Sequence, residues 1–265
     1  MLQHKAKRSL GQNFLTSKDI VRKMSEVGEV SEKDTVLEIG PGKGVLTEIL
    51  LESGAKVVAV EKDDELFAYL TEHFKEFIGT GQLSLVHGDI VEAADSINLP
   101  SGYKLIANIP YNITGKIISD FLSRKDKPSK MVLMLQYEVA DRIAARNDKK
   151  SILSLSVDVY GKPKLIRRVP AGAFNPKPKV DSAILCIDSI TSQFFDSFKI
   201  SEKTFFDLLH AGFAHKRKKL IRNIIEVFPN TDWFYVFNTL ELDENTRAED
   251  ISKETWGLIA QHVKV

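Results

Sequence analysis

The chain has 265 residues, a formal net charge of +1, and 43% hydrophobic and 28% charged residues. That length holds one large or two ordinary domains with ample core, and the composition is that of a globular chain rather than a disordered one. No apolar run reaches the roughly 18 residues of a membrane span. The start lacks the apolar stretch of a signal peptide. The lone Cys186 excludes a disulfide framework or a cysteine-rich zinc site. A cytoplasmic protein is therefore expected, with no membrane partner.

Residues 1–17 read as a basic, polar arm, and 19–27 have helical spacing. Strands are expected over 35–39, 56–60, 83–86, 103–107 and 131–135. Helices are expected between and after them over 45–52, 63–77, 113–122 and 138–146. Two further strands, over 152–160 and 180–187, would pair at one sheet edge. This alternation predicts an α/β fold with a mostly parallel sheet covered on both faces. Beyond residue 190 only helical patterns remain, over 203–213, 219–228, 233–240 and 253–262. The expected division is an α/β domain over 1–190, its arm included, and a small all-helical domain over 191–265.

The polar residues with chemistry sit at strand tips, where open α/β sheets bind ligands. Glu38-Ile39-Gly40-Pro41-Gly42-Lys43-Gly44 follows the first long strand and opens a helix. Its G-x-G-x-G spacing departs from the dinucleotide pattern G-x-G-x-x-G, and it is not a P-loop. The compact spacing suits S-adenosylmethionine, which has no pyrophosphate to cradle. Glu61 at the next tip can accept both hydroxyls of a ribose. Asp89, after Gly88, can accept from an adenine amine.

Asn108-Ile109-Pro110-Tyr111 ends the fourth of these strands, since the proline cannot continue a central strand. An Asn oxygen and a backbone carbonyl can accept from an exocyclic NH2, and a Tyr ring can stack on a planar base. This corner suits methyl transfer to an adenine amine. Phe174, stiffened by Pro176 and Pro178, would form the second wall of a base slot. The six histidines show no metal-ligand spacing, and no metal and no catalytic histidine are assigned.

Charge is unevenly spread. Lys5, Lys7 and Arg8 form one basic cluster. Lys177 and Lys179 lie in an acid-free stretch, and Lys216, Arg217, Lys218, Lys219 and Arg222 form a third cluster. Such patches on a near-neutral chain suit a polyanion.

The chain resembles the KsgA-type ribosomal RNA adenine dimethyltransferases along nearly its whole length. The resemblance rests on Gly11-Gln12-Asn13-Phe14-Leu15, the glycine loop, Glu61, Gly88-Asp89, Asn108 to Ile113, Phe174 to Ser182, the basic stretch Phe213 to Asn223, and Arg247-Ala248-Glu249. It implies a Rossmann-like methyltransferase sheet with a helical RNA-binding domain. It implies that Gln12, Asn13, Leu15, Gly40, Gly42, Glu61, Asp89 and Asn108 meet S-adenosylmethionine, and that Asn108, Pro110, Tyr111 and Phe174 build the adenine slot. The substrate it implies is a pair of adjacent adenines near the 3′ end of small-subunit rRNA, in a pre-30S particle, acted on by a monomer. Ile109 stands where many members carry Leu, and the related Erm enzymes, which act on large-subunit rRNA, often carry Ile. The basic stretch and the Pro-Lys-Val-Asp-Ser ending favour the small subunit. Erm-like activity and a non-catalytic assembly role are the alternatives.

Overall fold

A computed structural model describes residues 6–7, 10–144 and 149–264. Nine strands occur among them: β1 (Phe14–Leu15), β2 (Thr35–Ile39), β3 (Lys56–Glu61), β4 (Leu83–His87), β5 (Lys104–Asn108), β6 (Lys130–Gln136), β7 (Lys162–Val169), β8 (Phe174–Asn175) and β9 (Ser182–Asp188). Seven form one sheet in the order β4-β3-β2-β5-β6-β9-β7. The first five of that order pair in parallel, while β9 runs antiparallel to both β6 and β7.

The central strands are buried along nearly their whole length. Leu105, Ile106 and Ala107 in β5 and Met131 to Leu135 in β6 are fully enclosed, as a parallel sheet with two covered faces requires. Strand order turns at the β2–β5 pair: β3 and β4 build outward on one side, β6 on the other. At such a switch point the loops after the two strands diverge and leave a crevice at their carboxyl ends.

The chain separates into two compact units. One comprises residues 1–140 and 162–190, the other 141–161 and 191–265. Segment 141–161 thus groups with the helical unit and not with the 1–190 domain expected from sequence. The expected strand at 152–160 is a helix, Ile152–Asp158. Its N-terminus carries a capping box in which the Ser151 side chain accepts from Ser154 N and the Ser154 side chain accepts from Ser151 N. The edge partner of β9 is instead β7, whose four charged residues in eight hid its strand character.

The second unit is all helical among its described residues. Gln193–Phe198, Glu202–Phe213, Leu220–Val227, Trp233–Thr239 and Lys253–Ala260 surround a core containing Phe205, Leu209, Ile224, Trp233, Phe237 and Trp256. No described helix is long and apolar enough to cross a membrane.

Candidate active site

A cleft opens at the carboxyl ends of β2, β3, β4 and β5. It is lined by the arm residues Gln12, Asn13 and Leu15, by Gly40 and Gly42, by Glu61, by Asp89, and by Asn108, Pro110 and Tyr111. The structure thus gathers all the expected cofactor residues and three of the four expected slot residues in one place.

The glycine loop is shaped by backbone conformation. Gly40 and Gly42 have φ of 64° and 60°, which side-chain-bearing residues rarely adopt. A Cβ on Gly42 would also come within 3.0 Å of the Phe14 ring, which packs on the loop.

Glu61 is 5% exposed, and both its oxygens are held by main-chain donors. Gly42 N donates to Oε2 at 3.1 Å and Asp63 N to Oε1 at 2.9 Å. Burial raises its pKa against the pull of these bonds. Nearby Glu38 is fully buried and accepts from the Thr47 hydroxyl at 2.7 Å. Burial pushes its carboxyl up to about 8, so it stays largely protonated at neutral pH.

Asp89 caps the helix Ile90–Ala93 by accepting from Val91 N at 2.9 Å, and it pairs with Lys62 at 2.8 Å. The Lys62 hydrogen bond holds its carboxyl below the usual range.

Asn108 is oriented from the arm. Its Nδ2 donates to the Asn13 carbonyl at 3.1 Å, across 95 residues of sequence. With the amide nitrogen turned to the arm, Oδ1 is the atom available as an acceptor in the cleft. The Tyr111 hydroxyl lies 2.7 Å from the Ser182 hydroxyl at the start of β9. The Pro110 carbonyl differs from its expected part. It accepts from Ile113 N at 3.2 Å and from the Thr114 hydroxyl at 3.4 Å, so its lone pairs serve the turn into the next helix.

Phe174 also differs from expectation and does not line the cleft. Phe174 pairs with Leu15 of the arm in the two-stranded β1–β8 sheet. Phe174 is 4% exposed and belongs to the hydrophobic core, where it backs the arm.

Of the basic residues expected on RNA, Lys177, Lys179, Lys216, Arg217, Lys218, Lys219 and Arg222 are exposed. Lys218 pairs with Glu226 at 3.4 Å. Lys7 is paired with Asp63, 3.0 Å from each carboxylate oxygen. Lys5 and Arg8 lie outside the described residues. Gln12 Nε2 also donates to Asp63, at 3.0 Å, while its Oε1 accepts from Lys7 N at 2.7 Å. Burial raises the Asp63 pKa, but the bonds from Lys7 and Gln12 outweigh it and hold the group below its ordinary value.

Asp63 therefore fastens the arm over the β3 tip, a part that sequence reading missed. Its only signal was an acid before a helical run, the mark of an N-cap. Ser182 was legible as part of a motif but not as the partner of Tyr111.

These positions fit S-adenosylmethionine: an acid for a ribose, a second acid one strand further out, and an open glycine loop at the strand on the first acid's other side. A Cβ on Gly40 would meet nothing within 4 Å, so that loop presents bare backbone to the cleft.

Comparison with known proteins agrees in sequence and in fold. A ribosomal RNA small subunit methyltransferase A from Dehalococcoides mccartyi is 40% identical over 258 residues, 95% of this chain and 86% of that protein. One of the same name from Fusobacterium nucleatum is 38% identical over 254 residues, 95% of each chain. Among solved structures, a dimethyladenosine transferase from Plasmodium falciparum matches with a TM-score of 0.80 at 24% identity, over 92% of this chain and 95% of that one. The 23S rRNA methyltransferase ErmE matches with a TM-score of 0.74 at 20% identity, over 95% and 99%. At those identities the two structures speak for the fold alone. The family model for ribosomal RNA adenine dimethylases matches residues 3–264, and the chain belongs to that family.

Proposed function

We propose that this protein is an S-adenosylmethionine-dependent enzyme that dimethylates N6 of two adjacent adenines near the 3′ end of small-subunit rRNA. The observation that carries this reading is Asn108, whose amide is turned by Asn13 so that Oδ1 is the acceptor in a cleft lined by Gly40, Glu61 and Asp89. The small subunit is favoured over the large by relatives of 38–40% identity that carry the small-subunit name, against a likeness to ErmE in fold alone.

When bound, S-adenosylmethionine supplies an electrophilic methyl group on a sulfonium. Glu61 would hold the ribose hydroxyls, Asp89 the adenine amine of the cofactor, and the backbone at Gly40 and Gly42 would allow close approach. On the substrate side, Asn108 Oδ1 would accept one hydrogen of the adenine amine and draw its lone pair out of ring conjugation. The Pro110 carbonyl, engaged in its turn by Ile113 N and the Thr114 hydroxyl, is not the acceptor for the second hydrogen. Tyr111 would stack on the base, worth roughly 1–3 kcal/mol. Positioning then supplies most of the acceleration, and no strong general base is needed. Lys177, Lys179 and the cluster from Lys216 to Arg222 would neutralise phosphates. The substrate is a pre-30S particle and the enzyme acts as a monomer.

The test is transfer of labelled methyl groups to immature 30S subunits and, separately, to protein-free large-subunit rRNA. Label in the 30S sample alone is expected. Label in the large-subunit RNA would move the protein to the Erm side, and label in neither would leave a binding role in assembly.

A further inference from the structure

Tyr111 sits in a short 3-10 turn, Tyr111–Ile113, directly after the proline that ends the strand connection. Its ring is half-buried and lines the cleft. Backbone alone does not hold such a ring at one angle, since two side-chain torsions remain free. The 2.7 Å contact with the Ser182 hydroxyl supplies what the turn lacks, across 71 residues of sequence.

The anchor is itself fixed from several directions. Ser182 is fully buried, and its backbone lies between β6 and β7, opposite Gln136 and Val169. The preceding residue, Asp181, accepts from Ala171 N at 3.0 Å and from Arg168 through Nε at 2.9 Å and Nη2 at 2.8 Å. Its own carbonyl accepts from Tyr137 N at 3.0 Å. The hydroxyl offered to Tyr111 is therefore mounted on a rigid part of the sheet and not on a loop.

We propose that Ser182 is a positioning residue for methyl transfer, fixing the Tyr111 ring as a rigid wall of the adenine slot. The inference rests on the adenine reading above. It carries a consequence for the second transfer. A monomethylated amine has one fewer hydrogen to donate, so its placement depends more on stacking than the first one does. Loosening Tyr111 then penalises the second methylation more than the first.

The experiment measures single-turnover transfer to immature 30S subunits, the ratio of monomethyl- to dimethyladenosine, and S-adenosylmethionine affinity by calorimetry. It compares wild type, Ser182→Ala, Tyr111→Phe and the double variant. Each single change removes one hydroxyl and keeps nearly the same volume. Each is expected to slow transfer about tenfold and to accumulate monomethyladenosine, with cofactor affinity within about twofold of wild type. The double variant is expected to be no slower than either single one, because one bond can be removed only once. Wild-type rate in Ser182→Ala, or losses that multiply in the double variant, would overturn the inference while the functional reading stands. A matching fall in cofactor affinity would overturn it too, by showing a general loss of structure. A wild-type enzyme that transfers no methyl group would overturn the functional reading and this inference together.

Discussion

The two sides of the cleft are held in different ways. On the cofactor side, Glu61 is clamped by the main-chain N–H groups of Gly42 and Asp63, and Asp89 caps the helix that follows it. These groups are fixed by backbone at their own strand end or at the end of the adjacent strand. On the acceptor side, Asn108 and Tyr111 are oriented by single side-chain bonds to Asn13 and Ser182, which come from remote parts of the chain. The cofactor side is thus rigid through local structure, whereas the acceptor side is rigid only once the arm and β9 are in place. A substitution on one side should therefore leave the function of the other largely intact.

The sharpest way to break this division is Asn108→Ala. Transfer is expected to fall by roughly a hundredfold or more, in the range seen when a preorganised polar group is removed from a reacting centre. Cofactor affinity should change far less, because Asn108 is only one of its neighbours. Single-turnover rates and calorimetric titration on one preparation check both halves, and near-normal turnover would sink the assignment.

Glu61→Ala should do the reverse. It removes the ribose acceptor and strands two backbone donors, a loss of roughly 1.5–3 kcal/mol, or about 10- to 150-fold in cofactor affinity. Transfer at saturating cofactor should recover much of the wild-type rate. A variant that binds normally but does not turn over would place Glu61 on the wrong side of the comparison.

Glu38 sharpens it through pH. Its carboxyl titrates near 8 in the folded chain and near 4.5 when unfolded. Between those values the unfolded chain has lost a proton that the folded chain keeps, so stability falls as pH rises across the window. The cost of burying this acid reaches up to about 4 kcal/mol at the upper end. Glu38→Gln should melt higher than wild type at pH 8 and show no such gain near pH 4.5, as scanning calorimetry at the two pH values would reveal. Equal melting shifts at both would contradict the buried neutral acid.

The smallest effect is expected from single exposed lysines. Lys216→Ala or Lys219→Ala should weaken binding to small-subunit RNA a fewfold. The slope of log affinity against log salt should flatten by about 0.7–0.9 for each phosphate no longer neutralised. Cofactor affinity should not move. An unchanged salt slope would remove that residue from the RNA-binding face.

Much of the sheet and its tips could be read from sequence because short apolar runs there run into Gly40, Glu61, Gly88-Asp89 or Asn108. Period-two alternation misled at 152–160, where Leu153, Leu155, Val157 and Val159 look strand-like, while the decisive feature was the Ser151–Ser154 capping box. The Lys- and Arg-rich edge strand β7 failed for the opposite reason, since an edge tolerates charge that hides its pattern. Within the site, which residues gather in the cleft was legible but which side chains partner one another was not. Nothing local links Asn13 to Asn108, Ser182 to Tyr111, or Lys7 and Gln12 to Asp63. Phe174 was misplaced because it is enclosed in the hydrophobic core behind the arm, which only the fold reveals.

The central claim is tested most directly by identifying the product. Immature 30S subunits would be treated with the enzyme and deuteromethyl S-adenosylmethionine, and the small-subunit rRNA digested and mapped by mass spectrometry. Two adjacent N6,N6-dimethyladenosines near the 3′ end, each carrying two labelled methyl groups, are the expected result. Label confined to another nucleoside, or to monomethyladenosine at scattered positions, would contradict the account.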